Sequence, residues 1–334
     1  MIKNLDGTNE NEKTKVIAIS IVRSKLGHII REYLDSRGFV EVYLPSIVPF
    51  ATDPVIGSDK ELFKTNYKGK ELYLAQSPQI FKQMVVLLTS MKIFSLQPQW
   101  RAEETPSKRH SLEYLSLDVE LPIGPEESEL KLMRLLEDLV VHSARELVTE
   151  CKEEMRIIGS DIVPISKPFP SLSYDQAIEL LNRNDVKVEW GEDLGYEREL
   201  ELGKILKERN VFCYFITHWP SLVKKFYAKV DRKDNRYTQT FDFDICGWEI
   251  CSGAERETDI QILQTRFKEK NLTEFDYKPY LDLFQKKPVL PHGGFGLGFD
   301  RLLAKLLGFD DVKETLLFPI LRNLADSKNK RWLS

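Results

Sequence analysis

Apolar and polar positions repeat with two periods along the chain, and each predicts its own elements. Over residues 14–37, Val16, Ile17, Ile19, Val22, Leu26, Ile29, Ile30, Tyr33 and Leu34 recur at helical spacing. Gly38 follows where a helix C-terminus favours glycine. A strand is predicted next, over FVEVYLPSI (39–47), while the polar residues 1–13 read as a flexible tail. Beyond a polar loop at 50–62, a strand is expected at 71–75. A helix is expected at 78–88, opened by Ser77 with Pro78 in its first turn. A long antiparallel pair follows, 92–103 and 111–121, joined by the charged ETPSKRH. In its second strand Leu112, Tyr114, Ser116, Asp118 and Glu120 share one side. Helices are predicted at 126–150, 174–183, 196–208, 257–270 and 276–285. Strands are predicted at 211–217, 236–245 and 248–255. GGFGLG (293–298) reads as a strand running into a helix at 299–308.

Strands carry the chemistry-rich segments and helices flank them. The predicted class is therefore α+β: a mostly antiparallel sheet flanked by helices, without βαβ crossovers, in one domain over 14–334. GGFGLG lacks the G-x-G-x-x-G spacing of a dinucleotide fold, and no G-x-x-x-x-G-K-[ST] occurs.

Composition narrows the setting. The 334 residues are 42% hydrophobic and 30% charged, as in soluble globular chains. With 48 basic and 52 acidic residues the formal charge is −4, which argues against non-specific coating of nucleic acid and against a DNA partner. A local basic face for RNA stays open. No apolar run reaches the length of a membrane span, and the polar N-terminus is not a secretory signal. Four cysteines without a dense framework fit a reducing, cytoplasmic setting.

Three segments carry convergent chemistry. FVEVYLPSI ends on a proline. WRAEETPSKRHSLEYLSLDVE sets Arg101, Glu103, Arg109, His110 and Asp118 on a hairpin. GFGLGFDRLL places Arg301 at a helix start. Together they resemble motifs 1, 2 and 3 of the class II aminoacyl-tRNA synthetases. AQSPQIFKQM, FDF…GWEICSGAER and HGGFGLGFDRL are similar to the aspartyl-tRNA synthetases, especially the archaeal and eukaryotic type. The resemblance spans roughly residues 14–320. It implies the class II catalytic fold, ATP as a substrate, Mg²⁺, and a homodimer formed through motif 1 around Pro45. It also implies a reaction in which a carboxylate of L-aspartate attacks the α-phosphate of ATP.

Both reactants are anionic, so such a site must supply cations and hold the reactants in line. The resemblance implies Arg101 on the α-phosphate, where a planar fork suits two oxygens. Arg109 and His110 would meet the β- and γ-phosphates. Arg301 and Tyr114 would sandwich adenine, with Arg301 also touching the γ-phosphate, and Glu103 would accept from the adenine amino group. Asp242 and Glu249 would hold Mg²⁺, a hard cation that takes oxygen ligands. Lys82 and Arg256 match the cations that hold the aspartate side-chain carboxylate. Ser77, Gln79 and Asp118 match residues around the α-amino group, with Asp118 on the ammonium and Gln79 hydrogen-bonding it. Taken alone, Lys82 reads as a solvated helix residue, and His218, His28 and His142 as turn or helix-surface histidines. Cys246 and Cys251 read as packing residues rather than zinc ligands.

The sequence also departs from that family. The reading expects no N-terminal OB-fold for the anticodon, since some 13 residues precede the first core helix. Gly57 stands where the acidic loop near the substrate carries glutamate, Asp300 precedes Arg301 where glutamate is usual, and the FPR-type C-terminal ending is missing. Ala51-Thr52-Asp53-Pro54 is similar to a sequence in archaeal asparagine synthetases related to asparaginyl-tRNA synthetase, which pass aspartyl-adenylate to ammonia. The acceptor is thus a tRNA by family default, or ammonia or another amine. A silent, synthetase-like regulator is a reading of another class. Retention of Arg101, His110, Glu249 and Arg301 speaks against it.

Overall fold

The computed structural model describes residues 10–52, 62–102, 107–124, 127–160, 163–285 and 288–317. Glu103, the Asp53–Gly57 stretch and the C-terminal segment lie outside them. Helix α1 (Glu10–Asp35) begins four residues before the expected start and ends ahead of Gly38, whose φ of 74° needs no side chain. The expected strand at 39–47 is two short pieces, β1 (Val40–Glu41) and β2 (Ile47–Val48). Strand β3 (Lys64–Tyr67), not anticipated, pairs with β4 (Lys70–Leu74), and β2-β4-β3 forms a small separate sheet. Helix α2 (Gln79–Thr89) leads to the long pair β5 (Ile93–Trp100) and β6 (Glu113–Pro122). Helix α3 (Glu129–Glu150) is capped by Ser128, whose side chain accepts from the Leu130 N–H. An unexpected helix, α4 (Lys152–Ile158), precedes another unexpected element, β7 (Ser171–Ser173).

Next come α5 (Tyr174–Arg183), opened by a Ser173–Gln176 capping box, and α6 (Gly195–Lys207). Strands β8 (Cys213–Thr217), β9 (Thr240–Ile245) and β10 (Trp248–Glu255) follow. Residues 236–239 lie outside β9, because the chain there closes a loop back to Trp219 and Asp231. Helix α7 (Ile260–Glu269) starts at the Asp259 cap, so the expected start at 257 is three residues early. Helix α8 (Lys278–Leu281) continues as one 3-10 turn, and β11 (His292–Gly298) runs straight into α9 (Phe299–Leu306).

The main sheet has eight strands in the order β1-β5-β6-β11-β10-β9-β8-β7, and its inner pairs are antiparallel. The two edge pairs, β1–β5 and β7–β8, are parallel. The second makes a crossover through α5 and α6, contrary to the sequence reading. A three-residue strand carries too little periodicity to be seen. One sheet face buries Leu117, Val119, Phe243, Phe295 and Leu297 against α1, α3, α4 and α9 in the largest core cluster. The other face is covered at the β7–β8 edge by α5 and α6 on Tyr214 and Ile216. Elsewhere α2, α7 and α8 pack around Phe226, Phe267 and Tyr280. The space between these two covers is the site.

Candidate active site

A cavity of about 580 Å³ opens on that second face, lined by strands β6, β10 and β11, the start of α2, the 107–112 turn and the 222–228 segment. Strand register builds its floor. Asp242, Ser252, Gly296 and Asp118 are successive cross-strand partners on β9, β10, β11 and β6. Gly296 leaves the middle of this row open, since a Cβ there would already stand 3.3 Å from Asp118 Oδ1. A bulge in β10 between Glu249 and Cys251 lets Glu249 and Ser252 both reach the cavity, although they are three residues apart.

At one end lie the residues expected to hold ATP. Arg101, Arg109, His110, Tyr114, Glu249 and Arg301 all line the same cavity. Arg301 ties three segments together: Nε donates to the Arg109 carbonyl at 3.1 Å and Nη1 to the Glu249 carbonyl at 2.9 Å. Its neighbour Asp300, the departure from the family pattern, pairs with Arg23 of α1 and accepts from the Leu115 N–H at 2.8 Å. The Arg101 guanidinium stands 5.6 Å from the Tyr114 ring centroid, and Tyr114 Oη donates to the Gln76 carbonyl. Burial lowers the His110 imidazole to about 2, with Arg301, Arg109 and Arg101 adding to the effect. His110 is therefore neutral and can offer a ligand a hydrogen bond rather than a charge. Ser107 Oγ holds its Nδ1 at 2.7 Å.

Four carboxylates from three elements, α6, β9 and β10, face this cationic group. Burial pushes Glu199 up to about 8, with the Glu249 charge adding to it, and raises Asp244 well above the usual range. Burial also raises Asp242, to about 6. It works on Glu249 in the same sense, but Arg301, Arg109, Lys224 and Arg101 outweigh it and hold Glu249 low. Asp242 Oδ2 accepts from Lys224 Nζ at 2.5 Å, while its Oδ1 is buried without a partner. That orphan oxygen and the ionised Glu249 fit a Mg²⁺ ion, which binds one or two carboxylates and completes its shell with phosphate and water. Among the described residues no cluster of three or more His, Cys, Asp or Glu side chains forms a metal cage.

The other end holds the residues expected to bind the amino acid. Ser77, Gln79, Asp118 and Arg256 line the cavity, and Lys82 does not. Lys82 is 1% exposed, so it is no solvated helix residue. It lies one layer behind the wall, donating to Asp118 Oδ1 at 2.9 Å and to the Phe295 carbonyl at 3.0 Å, with Glu120 Oε2 at 3.6 Å. Arg256 grips Glu120 through Nε at 2.8 Å and Nη2 at 2.9 Å. The two cations expected to hold the substrate carboxylate thus already have counter-charges in the protein: Lys82 and Arg256 are matched by Asp118 and Glu120. A buried charge without a counter-charge is too costly to leave standing.

Arg256 also fixes the orientation of Gln79. Being donor-only, it takes the Gln79 Oε1 at 3.3 Å, which leaves the buried Nε2 unpartnered. That donor suits a carboxylate oxygen and not an ammonium, the partner expected for Gln79. Asp118 also accepts from Ser116 Oγ at 2.7 Å. Glu120, Lys224 and Glu199 were missed as site residues. Glu120 lay in the alternating strand without a role. Lys224 and Glu199 sit in loop and helix segments that carry no motif signal of their own. His218, with φ 55°, is exposed in a turn, and all four cysteines are free.

Comparison with known proteins defines the class. The family model for tRNA synthetases class II (D, K and N) matches residues 9–322, and the chain belongs to this family of ligases. An aspartate–tRNA(Asp/Asn) ligase of Methanopyrus kandleri is 37% identical over 302 residues, covering 90% of this chain and 67% of that one. An aspartate–tRNA(Asp) ligase of Pyrococcus furiosus is 37% identical, covering 91% and 68%. The asparaginyl-tRNA synthetase of Pyrococcus horikoshii, solved with asparaginyl-adenylate, superposes with a TM-score of 0.84 at 33% identity, covering 92% of this chain and 69% of that one. The chain thus spans about two thirds of the length of these relatives. No helix among the described residues is long and apolar enough to cross a membrane.

Proposed function

We propose that the protein activates L-aspartate with ATP to give aspartyl-adenylate and pyrophosphate, and that it passes the aspartyl group to tRNA. The observation that carries this reading is one cavity with an arginine cluster at one end and Arg256, Gln79 and Asp118 at the other. Its lining holds seven basic and four acidic side chains, an excess that suits a polyphosphate. Similarity to aspartate–tRNA ligases supports aspartate as the amino acid.

In the reaction, an aspartate carboxylate oxygen forms a bond to the α-phosphorus while the bond to the β-phosphate bridging oxygen breaks. The Arg256 guanidinium and Gln79 Nε2 supply donors for the carboxylate left unreacted, and Asp118 faces the ammonium. Arg101 neutralises charge on the α-phosphate, which lets an anion attack it. Arg301 and Arg109 take the pyrophosphate charge that develops as the bond breaks, and neutral His110 adds a hydrogen bond. Mg²⁺ on Asp242 and Glu249 would neutralise phosphate charge and help fix the polyphosphate in line.

The acceptor separates two further readings: amide formation with ammonia, or a silent regulator. Purified protein is incubated with ATP, Mg²⁺ and labelled aspartate in three mixtures: no acceptor, total tRNA, and ammonium chloride. Labelled tRNA is the expected result. Labelled asparagine would convert the reading to an amide-forming enzyme that activates the β-carboxylate, with the α-carboxylate on Arg256. No adenylate in any mixture would overturn the enzymatic reading.

A further inference from the structure

Helix α6 belongs to none of the motif segments, yet it reaches the nucleotide end of the cavity. Its Glu199 carboxylate pairs with Nη1 of Arg109, and its Tyr196 ring lies 4.8 Å from the same guanidinium. Arg109 is 7% exposed and Glu199 5%, so the pair is set into the protein rather than on its surface. The Arg109 Nε is buried with no hydrogen-bond partner, while the residue itself lines the cavity. A buried, unpaired guanidinium donor beside an open cavity is costly unless a ligand oxygen meets it.

The seat of α6 is equally specific. Gly203 packs on the β9–β10 turn, where a Cβ would come within 2.7 Å of the Cys246 carbonyl carbon. On the facing side, a Cβ at Gly247 would stand 2.6 Å from the Glu199 carbonyl oxygen. Two glycines thus bring the Glu199 turn of the helix against the hairpin that carries Asp242, Asp244 and Glu249.

We propose that Glu199 is a positioning residue of the nucleotide site. It holds Arg109 by one edge so that the remaining donors face the polyphosphate. This rests on the reading that Arg109 meets ATP. Without Glu199, the Arg109 side chain loses its hydrogen-bonded carboxylate, keeps only the Tyr196 ring and the charges of Glu249 and Asp244 to orient it, and samples more rotamers. ATP binding then bears the cost of ordering it. Aspartate, at the far end of the cavity, is unaffected.

The test measures dissociation constants for ATP–Mg²⁺ and for aspartate by calorimetry on the full chain. Four variants are compared: Glu199→Ala, Glu199→Gln, Arg109→Ala and the Arg109→Ala/Glu199→Ala double variant. Glu199→Ala should weaken ATP about tenfold and leave aspartate within about twofold. Glu199→Gln, whose amide oxygen still accepts from Arg109, should recover part of the loss and guards against an alanine variant that fails to fold. In the Arg109→Ala background, removing Glu199 should add nothing. Unchanged ATP affinity in a folded Glu199→Ala or Glu199→Gln protein overturns the proposal, as does an equal loss with and without Arg109. If Arg109→Ala itself binds ATP normally, the assignment of Arg109 to the nucleotide fails instead.

Discussion

Arg256, Lys82, Asp118 and Glu120 form a closed set of two positive and two negative charges, buried to within a few per cent. Each charge is tolerable only because the others are there, so the pocket does not attract aspartate by net charge. In the proposed reading, selectivity falls instead to the donor left over, Gln79 Nε2, beside the Arg256 guanidinium that orients it. A carboxylate can accept there with either oxygen, whereas a carboxamide presents one oxygen and can set its own N–H groups against donors.

His110 offers a test at the same scale. Its imidazole is lowered to about 2 in the folded site, against about 6.5 in an unfolded chain. Between those values the unfolded chain binds a proton here that the folded chain does not. Stability therefore falls as pH drops below about 6.5, and above that pH the residue makes no pH-dependent contribution. His110→Gln should flatten the pH dependence of unfolding free energy between about pH 4.5 and 6 by about 1.4 kcal/mol per pH unit. Denaturant titrations across that range measure it. Parallel slopes for the two proteins would mean that His110 titrates freely in the native site.

At the level of elements, strand β11 shows what a glycine run is for. Gly294 lies opposite Glu120, and a Cβ there would fall well under 3.0 Å from both the Val119 carbonyl and Glu120 Oε2. Gly296, two residues on, has only Asp118 Oδ1 near, at 3.3 Å. The two positions differ because the Val119 backbone carbonyl and the Glu120 carboxylate, itself held by Arg256, both crowd Gly294. Gly294→Ala should cost about 1–3 kcal/mol of stability by overpacking and should weaken aspartate binding by disturbing the Glu120–Arg256 pair. Gly296→Ala should be better tolerated in folding. Thermal melts of the two variants give the comparison, and equal effects would contradict the assigned contacts.

For the molecule as a whole, one surface stands out beside the site. Tyr43 and Ile47 are 84% and 59% exposed on either side of Pro45, and Val40 is 44% exposed. The motif 1 segment is thus apolar, exposed and held by few hydrogen bonds, among them the two between Leu44 and the Gln97 side chain. A dimer through this surface would cover it and would brace the β1–β5 edge that leads to motif 2. Tyr43→Asp with Ile47→Asp should give a monomer in sedimentation velocity and lower adenylate formation. A wild-type protein that sediments as a monomer at micromolar concentration would remove the dimer from the reading.

Much of this was legible along the chain, for identifiable reasons. The long helices α1 and α3 and the β5–β6 hairpin carry several turns or several alternations each, so their periods show through. The basic group gathered at one end of the cavity was legible because Arg101, Arg109, His110 and Arg301 sit in segments with their own sequence pattern. The three-residue β7 and the broken motif 1 strand were not, because two or three residues hold no period. Nor was the charge state of the site. Whether Lys82 faces substrate or backs the wall, and whether Arg256 is free or gripped by Glu120, depends on strand register between segments up to 213 residues apart. The sequence by itself determined the α+β class, the family and which side chains are candidates for the chemistry, because those reside in local pattern and residue type. Only the tertiary structure decided which charges neutralise one another and that α6 reaches Arg109, because pairing of buried charges is a matter of distance in space.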